Sequence, residues 1–142
     1  MNSVAILPEQ SGIVLSSTLR KKPQRPIPDA LTRATLAAKT ALENKATNVL
    51  ILDLRKVTTE FDYFVIATGA SRRQVHTIVE EVDAKMTAVG DERFAISGYE
   101  SSKWVVQDYG DVLVHVFDPD TRDYYRLEEN WADALNVEWA DA

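Results

Sequence analysis

The chain has 142 residues, no cysteine and a formal net charge of −6, which suits one domain built on a single hydrophobic core. Without cysteine there is no disulfide, no thiolate metal site and no cysteine nucleophile, and no apolar run approaches the roughly 18 residues that a membrane span needs. Its hydrophobic fraction of 45% and charged fraction of 27% are ordinary for a globular protein; no secretory leader is expected, and a cytoplasmic location is the default.

The charge is unevenly spread. Before Asp29 the bases Arg20, Lys21, Lys22 and Arg25 outweigh Glu9, whereas from Asp108 onward ten acids face only Arg122 and Arg126. A broad acidic end argues against gripping a nucleic-acid backbone directly, because that binding rests on phosphate neutralisation by Lys and Arg. It favours docking on a basic protein, although a merely solubilising face would carry the same charge.

Residues 1–28 read as a flexible N-terminal extension. Pro23, Pro26 and Pro28 would each interrupt a helix, and Ile13-Val14-Leu15 is at most a short strand or docking segment. The basic cluster there could make a peripheral contact with RNA once the domain is docked.

The domain is expected over 29–142. Asp29 suits a helix N-cap, and Leu31, Ala34, Thr35, Ala38 and Leu42 follow at helical spacing. Val49-Leu50-Ile51-Leu52 and Tyr63-Phe64-Val65-Ile66-Ala67 read as buried strands. Thr68-Gly69-Ala70-Ser71 turns out of the second one, with Ser71 capping a helix. Val75, Ile78, Val79, Val82, Met86 and Val89 form the apolar stripe of that helix, and Gly90 stops it. Phe94-Ala95-Ile96 could be a third strand.

Residues 104–117 predict a β-hairpin, with Gly110 supplying the positive φ of the Asp108-Tyr109-Gly110-Asp111 turn. The two-residue period puts Val112, Val114 and Val116 on one face and Leu113, His115 and Phe117 on the other. Both sets are largely apolar, so the sheet should be covered on each face. Trp104 opens the hairpin as either a core plug or an exposed binding anchor. Asp118-Pro119 then starts a last helix, expected to align Tyr124, Leu127, Trp131 and Leu135 on one face. The order α-β-β-α-β-β-β-α implies an α/β fold, a mixed β-sheet flanked by helices.

A glycine turn followed by Ser71 and Arg73 at a helix start could bind a phosphate, yet it is neither a P-loop nor a dinucleotide fingerprint. Its placement resembles the Gly-Ser turn of nucleotidyltransferases. That chemistry needs paired carboxylates for two metal ions, and Asp108 and Asp111, three apart across a turn, need not converge. The histidines, His76 and His115, have no metal spacing; His76 is expected to be exposed and His115 to be structural. The residues read as a binding module without cofactor, metal or catalytic group, with a nucleotide-binding protein or enzyme as the alternative.

Three motifs carry a family resemblance: Thr-Gly-x-Ser-x-Arg at 68–73, Trp-Val-Val-x-Asp-Tyr-Gly-Asp-Val-x-Val-His-Val at 104–116, and Arg-x-x-Tyr-x-Leu-Glu-x-x-Trp at 122–131. Together they resemble the ribosomal silencing factor family, also called RsfS or Iojap, over roughly residues 29–135. The resemblance implies a nucleotidyltransferase-like topology without catalytic carboxylates. It further implies binding to the large ribosomal subunit through universal ribosomal protein fourteen, a steric block of small-subunit joining, translational repression when nutrients are short, and a homodimer in the free state.

The resemblance also implies a partner contact through Trp104, and the expected site is Trp104, Asp108, Tyr109, Gly110 and Asp111. There the aromatics would form the apolar contact and the two aspartates its charge partners. Gly69, Ser71, Arg73, Gly98, Arg122, Tyr125 and Glu128 are expected to be structural members of the motifs. The family usually has Glu-Gly six to seven residues before the tryptophan. Gly98 supplies the glycine, but Ser97 stands in the glutamate position, a loss for which Glu100 could compensate. The N-terminal extension is longer than a minimal member needs.

Overall fold

Strands with two dry faces need a cover on each side, and the computed structural model, which describes residues 26–139, supplies it with helices packed on both faces of a sheet. In chain order the elements are α1 (Ala30–Glu43), β1 (Thr47–Asp53), β2 (Tyr63–Thr68), α2 (Arg72–Ala88), β3 (Ala95–Ser97), β4 (Trp104–Asp108), β5 (Val112–Phe117), α3 (Pro119–Tyr125), α4 (Leu127–Asn130) and β6 (Leu135–Asn136). The sheet order is β3-β4-β5-β2-β1-β6. Only the central β2–β5 pair is parallel; β1–β2, β1–β6, β3–β4 and β4–β5 are antiparallel. The crossover from β2 to β5 contains α2, and every residue of β2 and β5 is buried.

The helices form where cap chemistry and periodicity agree. Asp29 accepts from Thr32 N at 2.8 Å, Ser71 from Gln74 N at 3.1 Å and Asp118 from Thr121 N at 2.8 Å. Each bond satisfies a backbone donor that the first turn leaves unpaired. The stripe Ala34, Ala37, Ala38 and Ala41 lets α1 pack closely, and α2 lays Val75, Ile78, Val79, Val82 and Met86 beside it. Together they cover Val65, Val105, Val112, Val114 and Val116. The opposite face is aromatic, with Phe61, Phe64, Trp104, Phe117 and Trp131 around Leu52, Leu113 and Leu127. Each fully buried aliphatic side chain contributes about 1.5–3 kcal/mol of transfer free energy.

The expected extension lies mostly outside the described residues, including Ile13-Val14-Leu15 and the basic cluster. The expected final helix is corrected. Arg126 adopts a left-handed backbone, φ 48° and ψ 54°, and breaks it into α3 and α4. Leu135 lies in β6, where it pairs with Asp53 and is 59% exposed. Leu127 and Trp131 are buried as expected, but Tyr124 is 79% exposed.

Candidate partner-binding site

β4 separates the expected site residues. Trp104 starts the strand and Tyr109 follows its end, so the two lie at opposite ends of the hairpin. Their odd spacing also puts them on opposite faces, Trp104 in the aromatic cluster and Tyr109 in the aliphatic one. The five expected residues therefore do not converge on one surface of the fold.

The turn is closed from within. Tyr109 is fully buried, and its hydroxyl donates to Asp83 Oδ1 at 2.7 Å and accepts from Gln107 Nε2 at 3.2 Å. Burial, then the Asp83 carboxylate, push the phenol pKa well above its usual value. Gly110, φ 96°, donates its N–H to Asp108 Oδ1 at 2.8 Å, and Asp108 is buried. Asp111 takes both oxygens to Arg33, Nη1 at 2.9 Å and Nη2 at 2.7 Å. The same guanidinium reaches Asp91 Oδ2 at 2.7 Å, and its Nε donates to Pro28 O at 2.8 Å. Of the two expected charge partners Asp108 is buried, while Asp111 is paired with Arg33 and keeps a side chain 40% exposed; Arg33 ties α1 to the turn after α2 and to the hairpin turn. Next to it, burial and the Asp111 charge raise the pKa of Asp62.

The Trp104 end is open. Trp104 is only 5% exposed, a core plug, but it also lines a surface groove of about 650 Å³ with Ile96, Gly98, Tyr99, Thr121 and Tyr125. It stacks on Phe117 at 4.9 Å between ring centroids, packs against Tyr125 at 4.8 Å, and Tyr125 meets the exposed Tyr124 edge-on at 5.0 Å. An aromatic ladder thus runs from core to solvent. Trp104 Nε1 donates to His115 Nδ1 at 3.1 Å. Burial, with the Arg122 charge adding to it, pushes His115 down to about pKa 3, so the imidazole stays neutral. Gly98 is the close approach that shapes this end: at φ 79°, a Cβ would lie 2.0 Å from Trp104 O. Ser97, in the position of the family glutamate, is buried in the groove lining, and its hydroxyl has no hydrogen-bond partner among the described residues. Glu100 is exposed at the rim.

The remaining motif residues form a structural lattice at the C-terminal ends of β2 and β5. Gly69 is buried and donates its N–H to Phe117 O at 2.9 Å. Arg122, 8% exposed, donates through Nη1 to Asn48 O at 2.6 Å and Thr68 Oγ1 at 2.8 Å, while Nη2 lies 3.4 Å from Glu128. Arg73 is exposed. Gln74 holds the turn, its Oε1 accepting from Ala70 N at 2.6 Å. The Ser71-x-x-Gln74 spacing of a capping box carried that signal. His76, expected to be exposed, is half-buried and stacked on Tyr99. The described residues contain no cluster of three or more His, Asp or Glu placed to hold a metal ion, and no helix long and apolar enough to cross a membrane.

The chain is thus a mixed α/β domain with a surface groove lined by the aromatic rings of Tyr99, Trp104 and Tyr125. The model of the family "Ribosomal silencing factor during starvation" matches residues 27–142, and the chain belongs to that family. It is 40% identical over 103 residues to ribosomal silencing factor RsfS of Halalkalibacterium halodurans, covering 72% of this chain and 88% of the relative. The RsfS of Chromobacterium violaceum is 41% identical over 92 residues, 64% of this chain and 75% of its own. A crystal structure of a protein from Chromobacterium violaceum superposes with a TM-score of 0.72 at 34% identity, covering 80% of this chain and 93% of that one.

Proposed function

We propose that the chain is a ribosome anti-association factor that acts by occupying a surface, not by catalysis. It docks on the large ribosomal subunit through universal ribosomal protein fourteen, blocks joining of the small subunit and so represses translation when nutrients are short. The observation that carries this reading is the groove. Gly98, Trp104 and Tyr125 come from separate stretches of the family pattern, and all three line one opening. An aromatic-floored groove with a polar rim is the form of a docking site with a central anchor. The net charge of −6 suits a basic ribosomal partner. A cytoplasmic location and a homodimer in the free state belong to the same proposal, as does a peripheral contact of the N-terminal bases with ribosomal RNA.

Sucrose-gradient sedimentation of purified large and small subunits with the protein tests it. Co-migration with large subunits and depletion of the joined-ribosome peak are expected. Migration with neither subunit would set the proposal aside.

A further inference from the structure

One wall of the groove is a loop, residues 98–103, that has to hold a conformation it does not favour. Ser102 sits at φ 63°, in the left-handed region that costs a non-glycine residue free energy. The loop's own bonds are short-range: Ser102 N to Gly98 O at 3.0 Å, Ser101 Oγ to Gly98 O at 3.2 Å and Ser102 Oγ to Tyr99 O at 3.1 Å. Bonds of this span close a turn but do not anchor it to the domain.

Lys103 O, at the end of the loop, accepts from Asp118 N at 3.0 Å; the anchor of residues 99–102 comes from α2. Arg72, His76 and Glu80 recur at four-residue steps and therefore share one helix face. Arg72 Nη2 donates to Glu100 O at 3.0 Å, and Glu80 accepts from the Tyr99 hydroxyl. His76 between them makes most of the contact. Its ring stacks on Tyr99 at 4.1 Å and 10°, and its Nε2 lies 2.9 Å from Tyr99 O and 2.6 Å from Ser102 Oγ. Because Tyr99 O can only accept and lies 2.9 Å from Nε2, the network assigns the hydrogen to Nε2, and the Ser102 hydroxyl accepts from it while donating to Tyr99 O. One N–H thus meets both acceptors of the strained segment.

We infer that His76, which does not line the groove, is a positioning residue for docking: it holds the 99–102 wall in the form the partner meets. The inference rests on the docking reading above. A wall ordered in advance spares the complex the cost of ordering it on binding, so His76 acts on affinity through Tyr99 and Ser102 without touching the partner.

Two substitutions separate the ring from its hydrogen bond. His76→Phe keeps the stack on Tyr99 and loses the donor; His76→Gln loses the ring and keeps an N–H at about the same reach. Amide hydrogen exchange of residues 98–103 is measured in the free full-length chain, and affinity is measured with isolated large subunits. In His76→Phe, exchange of the loop should accelerate and affinity should fall, each by about tenfold, the scale of one hydrogen bond. His76→Gln should restore both to within about threefold of wild type, a rescue that loss of packing alone would not give. If wild type binds and His76→Phe binds as tightly, the inference is overturned while the docking reading stands. If wild type fails to bind, the docking reading falls, and with it the claim that His76 serves docking.

Discussion

The two ends of the hairpin each hold a buried aromatic residue, Tyr109 at one and Trp104 at the other, and are built differently around it. At the turn, Asp108, Tyr109 and Asp111 have their polar atoms satisfied by Gly110, Asp83, Gln107 and Arg33. At the other end, Trp104 is equally buried, but the ladder it starts continues through Tyr125 to an exposed Tyr124. A motif read along the chain merges these ends, whereas the pleat of the strand parts them. Burial alone does not mark a docking site; what separates the ends is whether the surrounding groups close over the aromatic residue or leave an opening beside it.

The sharpest way to break this contrast is to remove the closure at the turn. Arg33→Ala takes the guanidinium away from Asp91, whose side chain is fully buried. The expected loss is about 3–5 kcal/mol of unfolding free energy, read from denaturant titration. A loss below about 1 kcal/mol would mean that the turn is held by something else.

Gly98→Ala tests the open end. The added Cβ would overlap Trp104 O, so backbone must move, with an expected cost of about 1–3 kcal/mol in stability and a loss of large-subunit binding. Unchanged binding would show that the groove wall does not set the contact. Tyr109→Phe is milder: it removes the hydroxyl from Asp83, which keeps Arg93 at 3.6 Å, and should cost about 1–2 kcal/mol in thermal or chemical melts with affinity unchanged.

The smallest effect is a pH dependence. His115 is held neutral in the fold, its pKa pushed by burial from the usual 6.5 of a histidine down to about 3. The unfolded chain therefore takes up a proton that the native one refuses. Stability from this group is fully present above pH 6.5 and is lost as pH falls from there toward 3. The share lost between pH 7 and 5.5 should be about 1 kcal/mol. His115→Gln should flatten that part of the profile; identical slopes for the two proteins would remove His115 as its source.

Much of the fold was legible because it rests on local rules. Period-two alternation marked both faces of β5, the Asp29, Ser71 and Asp118 caps marked three helix starts, and Gly110 marked the turn. The misreadings have physical causes. Arg126 is neither Gly nor Pro, so nothing local announces its left-handed backbone or the helix break. The two residues of β6 carry too little pattern to detect. The role of Arg33 has no local signal, because its partners, Asp91 and Asp111, lie 58 and 78 positions away. The grip of α2 on the groove wall was equally hidden: His76 was expected to be exposed, and only folding brings Tyr99 and Ser102 against it. Gly98, Trp104 and Tyr125 were singled out by resemblance, but their convergence on one groove is a property of the folded chain alone.

The most direct test compares one substitution at each end in the same assay, equilibrium binding to isolated large ribosomal subunits. Tyr125→Ala removes the ring that packs on Trp104 at the groove, and Asp111→Asn weakens the internal pair with Arg33 at the turn. Tyr125→Ala is expected to lower affinity at least tenfold while the protein stays folded, as for a central anchor, and Asp111→Asn to bind as wild type with reduced stability. The reverse pattern, binding lost at Asp111 and kept at Tyr125, would contradict the assignment of docking to the groove.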